Sequence, residues 1–250
     1  MFELDGKNAI VTGGSRGIGA AVALALGNAG CNVIVNYTSA SSEIKATSIV
    51  DEINSTTKGK AYLLQADVGA DNIGEIVARA AHLHFANGAV DIIVHNAGVS
   101  VDKAMPAVTP QDWAHIMNIN ARGPFFITQS VEPMLADKAK IIFMSSVSAR
   151  AGFVDDSLYA GSKAAIEAYI KSWPKEQWAR SRKISVNGLA VGPCETDMFA
   201  AIPQEYQAGF RENPVAEPTD IANLVLLLCS EKAIWINGSI VNANNAMLTN

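Results

Sequence analysis

Apolar residues along this chain fall in short runs divided by turn-forming clusters, and those runs alternate with segments of helical periodicity. Asn8 to Thr12 (NAIVT) and Cys31 to Asn36 (CNVIVN) are β-branched runs of strand length that read as buried strands. Ala61 to Ala66, Val90 to Val94, Lys140 to Met144, Ile184 to Leu189 and a run near Ser239 to Asn242 predict five more. Between them, Ala20–Ala29, Ser41–Thr57, Ile73–Phe85, Trp113–Gln129, Tyr159–Arg180 and Thr219–Cys229 read as helices. Pro174 is expected to kink or shorten the fifth, because proline removes a backbone hydrogen bond. Pro193 to Pro218 is long for a connection and carries Met198, Phe199, Ile202, Tyr206 and Phe210. Such a segment is expected to serve a site, often as a lid, with short core-facing helices as the other reading.

The first strand runs into GGSRGIG, Gly13 to Gly19, and then into a helix and a second strand. Gly13 permits a tight turn, Gly17 lets the backbone approach a pyrophosphate, and Gly19 lets the helix pack close to the strand. Ser15 and Ile18 belong to the same loop, where a helix N-terminus offers unpaired N–H groups to phosphates. This order predicts an α/β fold: a Rossmann-type, doubly wound parallel sheet of about seven strands flanked by helices, one domain over residues 1–250, with the 193–218 segment inserted.

Asn36, Tyr37, Thr38 and Ser39 follow the second strand, where an acidic residue would take the ribose 2′-OH of NAD. None stands there, and Arg16 in the glycine loop suits a phosphate instead, so the pair favours NADP(H). Asp67 and Val68 end the third strand, with Asp67 placed either to accept from an adenine amine or to cap the next helix. His95-Asn96-Ala97-Gly98 after the fourth strand leaves room for a cofactor.

The fifth strand delivers Ser145 and Ser146 to the same edge, and Tyr159 and Lys163 lie one helical turn apart beyond it. A nearby cation favours an ionised phenol, so Lys163 is expected to lower the pKa of Tyr159 and make it an acid or base near neutral pH. Asp155 and Asp156 precede it and read as solvated loop charges, with contact to a substrate as the other reading.

Composition narrows this reading. With 49% hydrophobic and 17% charged residues in 250, the chain has a sizeable core and is not disordered. A net charge of −5 gives no footprint for nucleic acid, and the apolar run from Ile221 to Cys229 is too short for a bilayer span. The acidic, leaderless start and three widely spaced cysteines (Cys31, Cys194, Cys229) fit a cytoplasmic protein with reduced thiols. His82 and His84 face different directions on a helix, and His95 and His115 lack ligand companions, so no metal is expected.

Taken together, TGGSRGIG (Thr12–Gly19), Asp67-Val68, HNAG (His95–Gly98), Asn120, Ser146 and Tyr159-x-x-x-Lys163 resemble the short-chain dehydrogenase/reductase family over nearly the whole chain. VIVNYTSASSE looks like the cofactor loop of fungal NADPH-dependent ketoreductases acting on polyketides or naphthols. The resemblance implies Tyr159 as general acid, Ser146 as hydrogen-bond partner of the carbonyl oxygen, Lys163 on the nicotinamide ribose, and Asn120 holding a water in a proton relay. It also places Gly192 and Thr196 beside the nicotinamide, and Asn96 and Asn187 as braces of the central strands. Four departures stand out: His95 for a frequent asparagine, Val191-Gly192-Pro193 for a Pro-Gly, Asn244-Asn245 for a Gly-Gly, and Pro174 in a helix that commonly builds a tetramer. The expected activity is NADPH-dependent reduction of a hydrophobic ketone, polyketide-like or aromatic, by a homo-oligomer (dimer or tetramer). Non-redox chemistry on the same fold, such as dehydration or cyclisation, and a non-catalytic NADPH sensor or scaffold are the alternatives.

Overall fold

The structure is a computed structural model that describes residues 4–202, 204–211 and 214–249. Strands β1 (Asn8–Val11), β2 (Asn32–Tyr37), β3 (Ala61–Gln65), β4 (Val90–His95), β5 (Leu135–Ser146), β6 (Ser185–Val191) and β7 (Ile240–Ala243) form one sheet in the order β3-β2-β1-β4-β5-β6-β7. Every pairing is parallel. The winding reverses between β1 and β4, which opens a crevice at their carboxyl ends, the place where such sheets bind ligands.

Side chains alternate across each strand. In β5, Ile141 and Phe143 join a layer with helices α3 (Ile73–His84), α5 (Gly123–Val131) and α7 (Ser157–Ser172). Ile142 and Met144 face the other way, under α1 (Gly17–Asn28), α2 (Glu43–Thr56) and α11 (Pro218–Cys229). Both faces are dry, which explains why these strands read as continuous apolar runs. Each fully buried isoleucine or phenylalanine there contributes about 1.5–3 kcal/mol.

Several elements differ from the sequence expectation. The helix predicted over 113–129 begins earlier, at α4 (Pro110–Met117), where the Thr109 hydroxyl accepts from Asp112 N at 3.1 Å and the Asp112 carboxylate accepts from Thr109 N at 3.0 Å. It then passes through one wide π turn, Asn118–Arg122, before α5. Pro124 supplies the reason: it has no N–H for the carbonyl of Asn120, four residues back, so the regular ladder breaks there. Gly123 permits the path, since a Cβ on it would overlap the Val68 carbonyl.

Strand β5 starts five residues before its apolar run, with Lys138 in the left-handed region (φ 63°) where the register with β4 shifts between Val90 and Ile92. The short helix α6 (Ser148–Ala151) follows it. Pro174 breaks α7 as predicted: a single 3₁₀ turn, Trp173–Lys175, leads to α8 (Gln177–Ser181).

The 193–218 segment holds two short helices, α9 (Asp197–Ala200) and α10 (Gln204–Phe210). Its base is closed by a bridge between Cys194 and Ala216. Phe199 is buried while Met198 is exposed, so the segment both packs inward and presents apolar surface. The Tyr206 side chain lies outside the described residues.

Beyond β7, Asn245 (φ 47°) and Ala246 (φ 62°) both adopt the left-handed conformation that costs an L-residue about 1–2 kcal/mol. Ala246 is exposed, so its methyl group packs on little. Ala246→Gly is expected to stabilise the protein by about 0.5–1 kcal/mol, the gain being trimmed by the freer unfolded chain. Urea unfolding checks this as a higher midpoint at unchanged slope.

Candidate functional site

At the carboxyl end of β1 the chain turns back on itself with Gly13 at φ 64° and Gly17 at φ 54°. Asn36, buried at the end of β2, fixes the turn. Its Oδ1 accepts from Gly13 N at 3.2 Å, and its Nδ2 donates to the carbonyls of Leu64 (3.2 Å) and Ala66 (2.9 Å). The amide expected to face a ribose is therefore turned inward, holding β1, β2 and β3 together. From the other side of the crevice Asn96 Nδ2 donates to the carbonyls of Thr12 (2.9 Å) and Gly13 (3.1 Å). Thr12 Oγ1 in turn accepts from the N–H groups of Asn96 (3.0 Å) and Ala97 (3.1 Å). Gly19 sits where a Cβ would overlap the Gly13 carbonyl and the Asn96 amide, the close packing its position in the motif predicts.

The rim of this cradle is polar. Ser15 is buried in the loop and Ile18 packs on the core beneath it. Tyr37 is buried, whereas Thr38 and Ser39 are exposed, Ser39 Oγ lying 2.8 Å from Ser41 Oγ. Asp67 is exposed and accepts from Gly69 N at 2.8 Å, well before α3 begins at Ile73, so the capping alternative for Asp67 does not hold. Val68 is buried beneath it. Across the crevice, Thr196 caps α9 by accepting from Phe199 N, and its methyl group faces Gly17, where a Cβ would stand 3.2 Å away. Gly192 ends β6 against Asn244, whose Cβ would be 2.9 Å from a Cβ at 192. Asn244, where the family carries glycine, therefore packs against the backbone of Gly192.

Below the crevice, β5 and α7 bring the reactive groups together. Tyr159 lies in the first turn of α7, which begins at Ser157. The Lys163 ammonium stands 5.5 Å from the centre of its ring and donates to the Met144 carbonyl at 2.8 Å. Ser146 hydrogen-bonds Tyr159, and Ser146 Oγ accepts from Ser148 N at 3.1 Å. Ser145 faces away, donating to the buried carboxylate of Glu167 at 2.9 Å. Arg150 Nε donates to the other oxygen of Glu167 at 3.2 Å.

Asn120, on the wide turn, donates to Val99 O (2.8 Å) and Ser162 Oγ (3.0 Å) and accepts from Val99 N (2.9 Å). Ser162 passes the link on to the carbonyl of Tyr159 at 2.7 Å. Its side-chain amide thus braces the loop after β4 against α7. Gly98 in that loop leaves room for the ammonium: a Cβ there would be 3.3 Å from Lys163 Nζ.

Burial sets the electrostatics. It pushes the Tyr159 phenol up to about 12, with the Ser146 hydrogen bond opposing and the charges of Asp156 and Asp102 adding to the rise. It pulls the Lys163 ammonium down to about 8. The net shift of the phenol is therefore upward, opposite to the one expected from Lys163 alone, because desolvation dominates. Asp156 also departs from expectation. It is buried rather than solvated, burial raises its pKa against a hydrogen bond with Ser148, and its Oδ2 has no partner among the described residues. Asp155 beside it is exposed.

Sequence reasoning missed Ser162, Ser148 and Glu167, which hold Asn120, Ser146 and Ser145 in place. The signal was available for Glu167: a carboxylate four residues past Lys163 on the face of α7 that packs on β5. Among the described residues no cluster of three or more His, Cys, Asp or Glu is placed to hold a metal, and no helix is long and apolar enough to cross a membrane. Cys31, Cys194 and Cys229 are free thiols, all pushed up by burial, the latter two to about 12.

Comparison with known proteins agrees with this geometry. The family profile described as Enoyl-(Acyl carrier protein) reductase matches residues 13–245. The short-chain dehydrogenase/reductase FrzI of a Cladobotryum species is 36% identical, over 97% of this chain and 96% of its own length. A probable tetrahydroxynaphthalene reductase of Zymoseptoria tritici is also 36% identical, over 98% and 95%. The crystal structure of the angucycline C-6 ketoreductase LanV with bound NADP superposes with a TM-score of 0.90 at 33% identity, over 98% of this chain and 96% of that one. A hydride-transfer fold, a Ser146–Tyr159–Lys163 cluster at its crevice and relatives of full length converge on one assignment: the chain belongs to the short-chain dehydrogenase/reductase family of oxidoreductases.

Proposed function

We propose that this protein is an NADPH-dependent ketoreductase that converts a hydrophobic ketone, polyketide-like or aromatic, to a secondary alcohol. It works in the cytoplasm as a homo-oligomer. The observation that carries the reading is the convergence of Ser146, Tyr159 and Lys163 at the crevice beside a glycine cradle. The cradle fits a dinucleotide. Gly13 and Gly17 hold positive φ, Gly98 leaves space beside Lys163, and cationic Arg16 stands at the outer rim. Relatives named as naphthol and versicolorin reductases, and neighbours with NADP or NADPH bound, support the cofactor and the substrate class.

Arg16, Gly13–Gly19, Thr38, Ser39, Asp67, Asn96–Gly98 and Thr196 would surround NADP(H), and Lys163 would meet its nicotinamide ribose. The cofactor supplies the hydride. Tyr159 donates its proton to the substrate oxygen, and Ser146 donates a hydrogen bond to the same oxygen as negative charge develops on it. Lys163 remains cationic beside the ring, so the tyrosinate left after proton transfer forms next to a positive charge. Asn120 keeps the loop after β4 and the start of α7 in register while this happens.

The test is consumption of NADPH with a panel of bicyclic aromatic ketones, and the mass and carbonyl content of the product. A gain of two hydrogens with loss of the carbonyl supports the reading. A product that keeps its carbonyl and loses a carbon–carbon double bond replaces it with enoyl reduction. Unchanged hydrogen count replaces it with non-redox chemistry.

The two shifted groups also set a pH profile. Tyr159 holds its proton up to about 12, while Lys163 is cationic only below about 8, down from the ordinary 10.5. The rate of reduction, as kcat/KM, is therefore expected to fall with loss of a single proton above about pH 8, and Lys163→Arg to carry the plateau to higher pH.

A further inference from the structure

Asp197, the first residue of α9, reaches back over the crevice to the glycine loop. One oxygen of its carboxylate, Oδ2, lies 3.2 Å from Arg16 Nη1 and 3.8 Å from Lys45 Nζ. Arg16 belongs to the glycine loop and Lys45 to the first turns of α2, just after the polar run that follows β2. The two cations therefore converge on one point at the adenosine end of the cradle, and an anion already sits between them. All three side chains are more than half exposed, so the contact is screened and weak, and easily exchanged for a stronger anion.

We infer that Lys45 joins Arg16, read above as the phosphate partner in the glycine loop, at the seat for the ribose 2′-phosphate, and that Asp197 is a rival anion for that seat which sets how strongly the protein prefers NADP(H) over NAD(H). This rests on the cofactor reading above, and adds two residues to it. A phosphate dianion offers three acceptor oxygens and more charge than a carboxylate, so it takes the guanidinium and the ammonium from Asp197. The carboxylate then stands beside a phosphate and repels it, which lowers affinity for the phosphorylated cofactor alone.

Equilibrium binding of NADPH, NADH, 2′,5′-ADP and 5′-AMP tests this without turnover. Asp197→Asn keeps the size of the side chain and removes its charge. It is expected to tighten NADPH and 2′,5′-ADP by about three- to fivefold, the range of an exposed ion pair, and to leave NADH and 5′-AMP unchanged. Lys45→Gln is expected to weaken the first two ligands by a similar factor and spare the others. In the Arg16→Gln, Lys45→Gln background the Asp197→Asn gain should shrink, because the two anions no longer share a seat. A wild-type preference for NADPH over NADH with no gain in Asp197→Asn, or a gain shared equally by NADH, overturns this inference and leaves the cofactor reading standing. Equal wild-type binding of NADPH and NADH overturns both.

Discussion

Tyr159→Phe is expected to lower ketone reduction by about 10²–10⁴-fold, the range for loss of a positioned general acid. NADPH affinity should change less than about twofold. The split follows from what the substitution removes. Phenylalanine keeps the ring against the Lys163 ammonium, 5.5 Å from the ring centre, and keeps the first turn of α7. Only the hydroxyl is lost, and with it the hydrogen bond to Ser146 and the proton for the substrate oxygen. A phenol at about 12 is weakly acidic, but it is still far more acidic than the alcohol being made, so the proton moves downhill once an alkoxide begins to form. NADPH absorbance gives the rate and fluorescence titration gives the affinity. Near-normal reduction by the variant would remove Tyr159 from its proposed role, whereas a large loss of NADPH affinity would make it a cofactor ligand first.

The second large effect concerns stability in acid. His95, at the end of β4, is buried, with Nε2 2.8 Å from Thr128 Oγ1, its ring stacked on Phe143, and Nδ1 without a partner among the described residues. Burial pulls its pKa from the ordinary 6.5 to about 3. The sign follows directly. Above pH 6.5 the imidazole is neutral in both states and costs nothing. Below it the unfolded chain takes up a proton that the native protein refuses, so stability falls as pH drops, up to about 1.4 kcal/mol per pH unit, until the native group titrates near 3. By pH 5 the loss from this one residue reaches about 2 kcal/mol. Urea unfolding from pH 8 to pH 5 reads it as a slope. His95→Asn, the residue frequent at this place in the family, should flatten that slope by up to one proton whatever its own stability at pH 8. Identical slopes in the two proteins would show that His95 is protonated in the fold.

Much of this was legible in the residues. The seven strands, the glycine cradle and the pairing of Ser146 with Tyr159 follow from runs such as Lys140–Met144 and from spacings that only a parallel sheet brings to one edge. What was not legible belongs to contacts between distant segments. Asn36 reads as a polar residue beside a ribose, but the carbonyls of Leu64 and Ala66 leave it no such freedom. The sign of the Tyr159 shift could not be read from its spacing to Lys163, since the outcome depends on how much water both groups lose. Asp156 looked like loop charge because burial of a turn is decided by what packs over it. Arg16 reads as a cation of the glycine loop, while its partner Asp197 lies 181 residues away in a segment whose length alone drew notice.

The wide turn at Asn118–Arg122 amounts to one surplus residue in an otherwise regular rod. A turn closed over one extra residue absorbs it locally, whereas the same residue added to a regular helix would rotate everything beyond it by about 100°. The capped start at Thr109 and the packed end at Val131 therefore both keep their places. Asn120 lies on that turn, so its place beside Val99 and Ser162 is set by the local width of the rod and not by its two ends.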